Sequence, residues 1–226
     1  MKALRKVFQK ILSFTLFPFL KIYLTKSRTY KYDGILLTIP PGVFHPGFFF
    51  STNFLLSFIL HLSLKGKTFL ELGAGSALIS FCVSKRGALV TASDISTTVI
   101  QNIEVNQKIN HQLFEIIQSD LFANFSKRIF DIVVINPPYY KREPQSEEDY
   151  AWYCGENSEY FIRLFSELKD FITTESIVLM VLSEDCAVDE IKQIAYRNNF
   201  VLKNVKRKRI WLEENFIFEI KSTTNE

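Results

Sequence analysis

The run Phe130-Asp131-Ile132-Val133-Val134-Ile135-Asn136-Pro137-Pro138-Tyr139-Tyr140 decides the fold. Ile132 to Ile135 are four consecutive β-branched residues with no polar alternation. Such a run predicts a strand covered on both faces, hence a central strand of a parallel sheet. Pro137 and Pro138 then stop the strand, fix φ near about −65° and remove two N–H donors. The product is a stiff, acceptor-rich corner at the carboxyl end of a strand, where open α/β sheets place their ligands. The side-chain oxygen of Asn136 and the carbonyls near Pro137 can accept both hydrogens of a planar –NH2 group, and Tyr139 can stack on that group. Taken alone, Asn-Pro-Pro-Tyr also reads as a proline-rich turn. Its position behind Asp131 and a β-branched run favours a site, with Asn136, Pro137 and Tyr139 as candidate catalytic residues.

Working outward toward the amino terminus, Lys67 to Leu72 predicts a strand that runs into Glu71-Leu72-Gly73-Ala74-Gly75-Ser76-Ala77, with Leu78 to Lys85 helical. Glycines at a strand-to-helix turn let a ligand approach the backbone. A strand over Ala88 to Ala92 ends in Asp94, 21 residues after Gly73, where an acid can accept both hydroxyls of a ribose. A third strand, Leu113 to Gln118, ends in Ser119-Asp120-Leu121-Phe122, placed to bracket an adenine. Two cofactor classes compete for such a turn. A dinucleotide calls for a third glycine and a helix terminus at its pyrophosphate, and the corresponding position is Leu78. S-adenosylmethionine has no pyrophosphate and carries a sulfonium, which Glu71 favours. The reading leans to S-adenosylmethionine, with Glu71, Gly73, Gly75, Asp94, Asp120, Leu121 and Asn136 as its binding residues.

The remaining chain frames this core. It has 226 residues, 47% hydrophobic and 23% charged, enough for one α/β domain with a large core. The 22 phenylalanines predict a bulky core, and a net charge of +3 is too small to argue for nucleic acid by itself. Cys82, Cys154 and Cys186 share no metal or redox spacing, which makes a reducing cytoplasm the simplest setting. Residues 1–32 hold eight Lys or Arg and no acid. Leu4, Val7, Phe8, Ile11, Leu12 and Thr15 fall at helical spacing, predicting an amphipathic basic helix that packs on the domain, touches a membrane surface through residues 1–24, or docks on an acidic partner such as nucleic acid. Its apolar run is interrupted by Pro18 and Lys21 and falls short of the ~20 residues of a span. Arg28 to Ile39 alternates around Asp33-Gly34, a hairpin signal. Pro40 to Gly47 is a rigid loop that frames a pocket or merely links, and His45 within it reads as a structural hydrogen-bonder. An apolar helix follows near Thr52 to Leu62. We divide the chain into an amino-terminal helix, hairpin and loop (1–50) and a core domain (51–226). Beyond the corner, Ser176 to Leu182 predicts another buried strand and Val188 to Asn198 a helix. Val201 to Ile210 and Asn215 to Lys221 predict a closing antiparallel pair. The basic run Lys203 to Arg209 reads first as a solvated strand edge and second as a contact for RNA.

With Glu71 to Gly75, Asp94, Asp120 and Asn136 to Tyr139 in this order, the chain resembles the class I S-adenosylmethionine-dependent methyltransferases. Asn-Pro-Pro-Tyr is similar to the motif of those members that methylate planar amides and exocyclic amines. The nearest likeness is to the HemK-like group, which methylates the glutamine amide of translation release factors. It covers roughly Val43 to Lys221 and includes Ala151-Trp152 and Gly155-Glu156-Asn157. The chain departs from that group in lacking paired glycines around Gly155, in having no acid between His45 and Asn53, and in its short amino-terminal part. The resemblance implies a Rossmann-like, seven-stranded, mostly parallel sheet with the last strand antiparallel. It implies an N-methyltransferase whose acceptor is a protein glutamine, as in a release factor, with an exocyclic amine of an RNA or DNA base as the alternative. A methyltransferase-like binding scaffold without turnover is the reading from another class, and a nicotinamide oxidoreductase is disfavoured by Leu78.

Overall fold

The computed structural model describes residues 25–48, 50–210 and 213–223. The basic helix expected within residues 1–24, and the membrane contact expected of it, lie outside the described residues. Among the described residues, no helix is long and apolar enough to cross a membrane.

The central strand forms where the β-branched run stands: β6 is Ile132–Ile135, and all four residues are buried. It pairs in parallel with β3 (Thr68–Leu72) on one side and β7 (Ile177–Ser183) on the other. β4 (Leu89–Asp94) and β5 (Glu115–Gln118) extend the sheet beyond β3. The full order is β5-β4-β3-β6-β7-β9-β8, with β8 (Phe200–Ile210) and β9 (Glu213–Ser222) closing it. β9, the last strand, runs antiparallel to both β7 and β8. This is the Rossmann-like seven-stranded sheet expected from the sequence.

Asp131 sets the register of the two strands that matter most. Its Oδ2 accepts from the Thr68 amide (2.8 Å) and hydroxyl (2.9 Å), and its Oδ1 lies 3.1 Å from Lys67 Nζ. These donors, the Thr68 backbone first, hold the carboxyl below its ordinary range. With β3 and β6 pinned at their amino ends, Leu72 and Ile135 finish level at the carboxyl edge. Both ligand-facing turns therefore begin at one height.

The pleat of the sheet sends alternate residues to two cores. Phe69, Ile132 and Val134 join the core under α1 (Phe50–Ile59) and α2 (Leu78–Ser84). Leu70, Leu72, Val133 and Ile135 join the core under α4 (Glu159–Leu168) and α5 (Val188–Arg197). The abundant phenylalanines fill both, with Phe69, Phe81, Phe161 and Phe165 fully buried. Each contributes roughly 1.5–3 kcal/mol by leaving water. Phe122 stacks on Phe171 at 4.3 Å and 11°.

The hairpin of β1 (Arg28–Tyr32) and β2 (Ile35–Ile39) turns at Asp33 (φ 46°) and Gly34 (φ 77°), both in the left-handed region that a two-residue hairpin turn uses. Its free edge is met by α3 (Thr97–Asn110), a helix the sequence reading does not place. Asn106 Oδ1 accepts from the Thr38 amide (2.9 Å) while its Nδ2 donates to the Thr38 carbonyl (3.0 Å). Asn110 repeats the pair on Leu36, at 2.8 Å in each direction. Asn102, Asn106 and Gln107 are buried on this helix beside Val99 and Ile103, so polar residues interrupt the apolar periodicity of its inward face. α4 is also absent from the sequence reading, although Phe161, Leu164, Phe165 and Leu168 are buried at helical spacing and signal it.

Candidate active site

The turn from β3 to α2 is set by backbone conformation. Gly73 (φ 73°) and Gly75 (φ 51°) lie in the left-handed region. The amides of Gly73 and Ala74 both donate to the Ser93 carbonyl, at 2.9 and 2.8 Å. The Gly75 amide donates to Asp94 Oδ2 (2.9 Å), and Asp94 Oδ1 accepts from the Ser96 amide (3.0 Å). Asp94 is thus the clasp between the glycine turn and the start of α3. Burial nevertheless raises its pKa above the ordinary range, against these hydrogen bonds.

Glu71 is the second carboxylate of this corner. It is buried at the end of β3, and its Oε2 accepts from the amide (2.8 Å) and hydroxyl (2.5 Å) of Ser80 near the start of α2. Those donors do not offset its burial, and with Asp94 adding repulsion the pKa is pushed up to about 8. A cation arriving beside Glu71 relieves that penalty.

The proline corner is held from elsewhere in the chain. Asn136 Nδ2 donates to Thr52 Oγ1 (3.2 Å), and Thr52 is a buried residue in the first turn of α1. The loop before α1 is fixed locally: His45 Nδ1 accepts from the Gly47 amide (3.1 Å), and its ring meets Tyr30 edge-on at 5.7 Å. Burial holds His45 below its ordinary pKa, in keeping with a structural role. Tyr139 is half-buried beside Tyr140 (4.8 Å between rings), and burial pushes its phenol up. Tyr140 ties the corner to the segment that follows. Its amide donates to the Trp152 carbonyl, and its carbonyl accepts from the Cys154 amide, both at 3.0 Å. The intervening excursion brings a 3-10 turn, Glu147–Ala151, over the glycine turn. There the Ser96 hydroxyl and the first amides of α3 hold Glu147 below its ordinary pKa, and Trp152 packs on Phe44 at 5.4 Å.

Between these parts lies a cavity of about 460 Å³. Every residue singled out from the sequence lines it: Glu71, Gly73, Gly75, Asp94, Asp120, Leu121, Asn136, Pro137 and Tyr139. So do Pro41 to Phe44, which makes the Pro/Gly loop a pocket wall. Asp120 is the least committed of the set, being exposed and paired with Arg163 at 2.6 Å. Leu121 is buried with φ 51°. Among the described lining residues, five are carboxylates (Glu71, Asp94, Asp120, Glu147 and Glu148) and none is Lys, Arg or His. That wall repels a pyrophosphate and suits a cationic cofactor. A Cβ at Gly73 would meet nothing within 4 Å, so the space beside this turn is open to a ligand.

Comparison with known proteins agrees. A family model for the methyltransferase small domain matches residues 34–158, more than half of the chain. The chain belongs to that family. It is an S-adenosylmethionine-dependent methyltransferase. This methyltransferase is 27% identical over 178 residues to a candidate protein N5-glutamine methyltransferase of Methanocaldococcus jannaschii, covering 73% of this chain and 86% of that one. It is 36% identical over 80 residues to the release factor glutamine methyltransferase of Streptococcus pneumoniae, covering 34% of this chain and 28% of that one. Its fold is similar to the Thermus thermophilus 16S rRNA N2 G1207 methyltransferase, solved with S-adenosylmethionine and guanosine. The TM-score is 0.60 at 18% identity, over 86% of this chain and 50% of that one.

Sequence reasoning misses two residues that line this methyltransferase's cavity, Thr52 and Glu147, and one, Ser80, that holds Glu71 from behind it. Thr52 is a lone hydroxyl at the start of an apolar helix, a signal that is visible but has no obvious partner. Ser80 lies among apolar residues of α2, nine positions after Glu71, and only the turn geometry joins them. Glu147 sits in an acidic stretch that reads as solvated surface.

Proposed function

We propose that this methyltransferase transfers a methyl group to the nitrogen of a planar amide, the side chain of a glutamine in a protein substrate. The observation that carries the reading is the Asn136-Pro137 corner, which opens on the same cavity as Glu71, Gly73, Gly75 and Asp94. The breadth of the match to the archaeal glutamine-methyltransferase candidate supports the choice of acceptor.

When bound, S-adenosylmethionine supplies an electrophilic methyl group on a sulfonium. The glycine turn would give it close access to the backbone, Glu71 would favour its positive charge, and Asp94 would accept from its ribose hydroxyls. Asp120 and Leu121 would hold the adenine. Asn136 Oδ1 and the Pro137 carbonyl accept the two N–H bonds of the acceptor, which aims the nitrogen lone pair away from them and toward the cofactor. An amide nitrogen is a poor nucleophile, so positioning is the main contribution the protein can make, worth up to ~7–11 kcal/mol in well-oriented systems. Tyr139 covers one face of the acceptor. Proton removal needs no dedicated base, because the methylated nitrogen is acidic enough to lose its proton to water.

The second reading is an exocyclic amine of a nucleic-acid base, which offers the same planar –NH2 group to Asn136. A 29% identity over 126 residues to a tRNA1(Val) (adenine(37)-N6)-methyltransferase of Shewanella halifaxensis, covering 53% of this chain and 51% of that one, supports it. The test combines purified protein, methyl-labelled S-adenosylmethionine and an extract of its source organism, with products split by protease and by nuclease. Protease-sensitive label is expected. Nuclease-sensitive label moves the assignment to a base amine. Asn136→Ala run alongside is expected to lower turnover by ~100-fold or more while leaving cofactor affinity within about 3-fold. A cofactor-binding defect instead would show that Asn136 belongs to the other side of the cavity.

A further inference from the structure

We infer that Thr52 is a positioning residue for methyl transfer, holding the Asn136 amide in the orientation that turns its oxygen to the acceptor. The inference rests on the amide reading above. A side-chain amide has two nearly isosteric ends of opposite function, one accepting and one donating. Turned one way, Asn136 offers Oδ1 to an N–H bond of the acceptor; turned the other way, it presents N–H to N–H and repels it. The prolines that follow cannot settle the choice, because they fix the backbone and not the side-chain torsion.

Thr52 settles it. Its Oγ1 accepts from Asn136 Nδ2 at 3.2 Å, across 84 residues of sequence, which ties the donor end to the protein wall. Thr52 is 6% exposed, so water competes poorly for this bond. Its helix is also immobilised independently of the acceptor. Phe54, Leu55, Leu56 and Ile59 are buried on α1. Asn53 Nδ2 donates to the Pro46 carbonyl (2.6 Å), and Asn53 Oδ1 accepts from the Tyr30 hydroxyl (3.4 Å). The hairpin, the Pro/Gly loop and α1 thus form a continuous brace ending at a single hydroxyl beneath Asn136. The loop gains a purpose beyond lining the cavity, and the hairpin gains one without lining it: together they carry the reference point against which the amide is set.

Thr52→Val keeps the branched shape and replaces the hydroxyl with a methyl. With the labelled-extract assay, its turnover is expected to fall by about 10- to 100-fold, the size of effect that follows small misplacement of a reacting group. The KM for S-adenosylmethionine should stay within about 3-fold of wild type. Thr52→Ser restores the oxygen and should return turnover to within about 3-fold. In an Asn136→Ala background, Thr52→Val should have no further effect, because the two residues act as one unit. Thermal melts of each variant check that the fold persists. Three results overturn the inference: full turnover in Thr52→Val, loss in Thr52→Ser equal to that in Thr52→Val, or independent losses in the double variant. Thr52→Val at full rate beside an inactive Asn136→Ala defeats this inference alone. Asn136→Ala at full rate defeats the amide reading and takes the role of Thr52 with it.

Discussion

Two ligand-facing corners leave neighbouring parallel strands at the same height, Leu72 opposite Ile135, and they are made in opposite ways. The corner after β3 is glycine, with positive φ at Gly73 and Gly75 and a mesh of short-range bonds to Ser93 and Asp94. The corner after β6 is proline, and the side chain it presents is fixed by Thr52, far away in sequence. Under the proposed function, the difference follows from what each would hold. A cofactor with cationic and hydroxyl groups would be met by backbone shape and buried acids. A flat acceptor –NH2 group needs one oxygen aimed in one direction, and aiming a side chain requires a rigid neighbour.

Mutations at the two corners should therefore separate. The Asn136→Ala and Thr52→Val effects above fall on turnover. The mirror experiment is Asp94→Ala, which removes the clasp and, on the proposed reading, the ribose acceptor with it. Its cofactor affinity should weaken by about 2–3 kcal/mol, roughly 30- to 150-fold by calorimetry, with turnover at saturating cofactor largely kept. Turnover lost with affinity intact would erase the distinction between the corners.

Glu71 sharpens the contrast through pH. Its carboxyl is raised to about 8 in the cofactor-free protein, so near neutrality it holds a proton that the unfolded chain has already lost. The native state then binds more protons than the unfolded state between about pH 4.5 and pH 8, and stability falls as pH rises through that window. A cation beside Glu71 favours the carboxylate, so cofactor binding below about pH 8 should release a proton and tighten as pH rises. Glu71→Gln should flatten both slopes, checked by melts and by calorimetry in two buffers of different ionisation heat. An unchanged pH profile in Glu71→Gln would place the proton elsewhere.

The smallest expected effect is at Gly73. A methyl there meets open space, so Gly73→Ala pays only for its left-handed backbone, about 1–2 kcal/mol in a urea titration. Cofactor affinity should drop as well, because the methyl stands where the ligand approaches. Loss of stability with affinity untouched would show that this turn shapes the fold without meeting the cofactor.

The same contrast explains what the sequence reveals. The glycine turn, Asp94 and the strand Ile132–Ile135 are legible because each depends on its own neighbours: φ requirements, strand ends and β-branched periodicity. Thr52 is not legible as a site residue because its meaning lies 84 positions away. Ser80 hides similarly within an apolar helix. Failure at α3 has another cause: Asn102, Asn106 and Gln107 share its buried face with Val99 and Ile103, so the hydrophobic periodicity is interrupted. α4 is legible in principle, and its four apolar positions mark it plainly.

The asparagines of α3 also bear on how the molecule lives among others. Four residues of helix rise about 6 Å and two residues of strand about 6.6 Å, so amides one helical turn apart can match alternate peptide groups of an extended chain. Asn106 and Asn110 do this along β2, filling the place where another strand would add. A hairpin joined to the body of a protein by a short loop is otherwise a ready template for intermolecular pairing and aggregation. At the opposite extreme of the molecule, β8 ends the main sheet with Lys203, Lys206, Arg207, Lys208 and Arg209 exposed along it. The β2 edge is occupied by the protein's own amides and the β8 edge is guarded by charge. In a crowded cell, both keep a strand-rich surface from recruiting copies of itself.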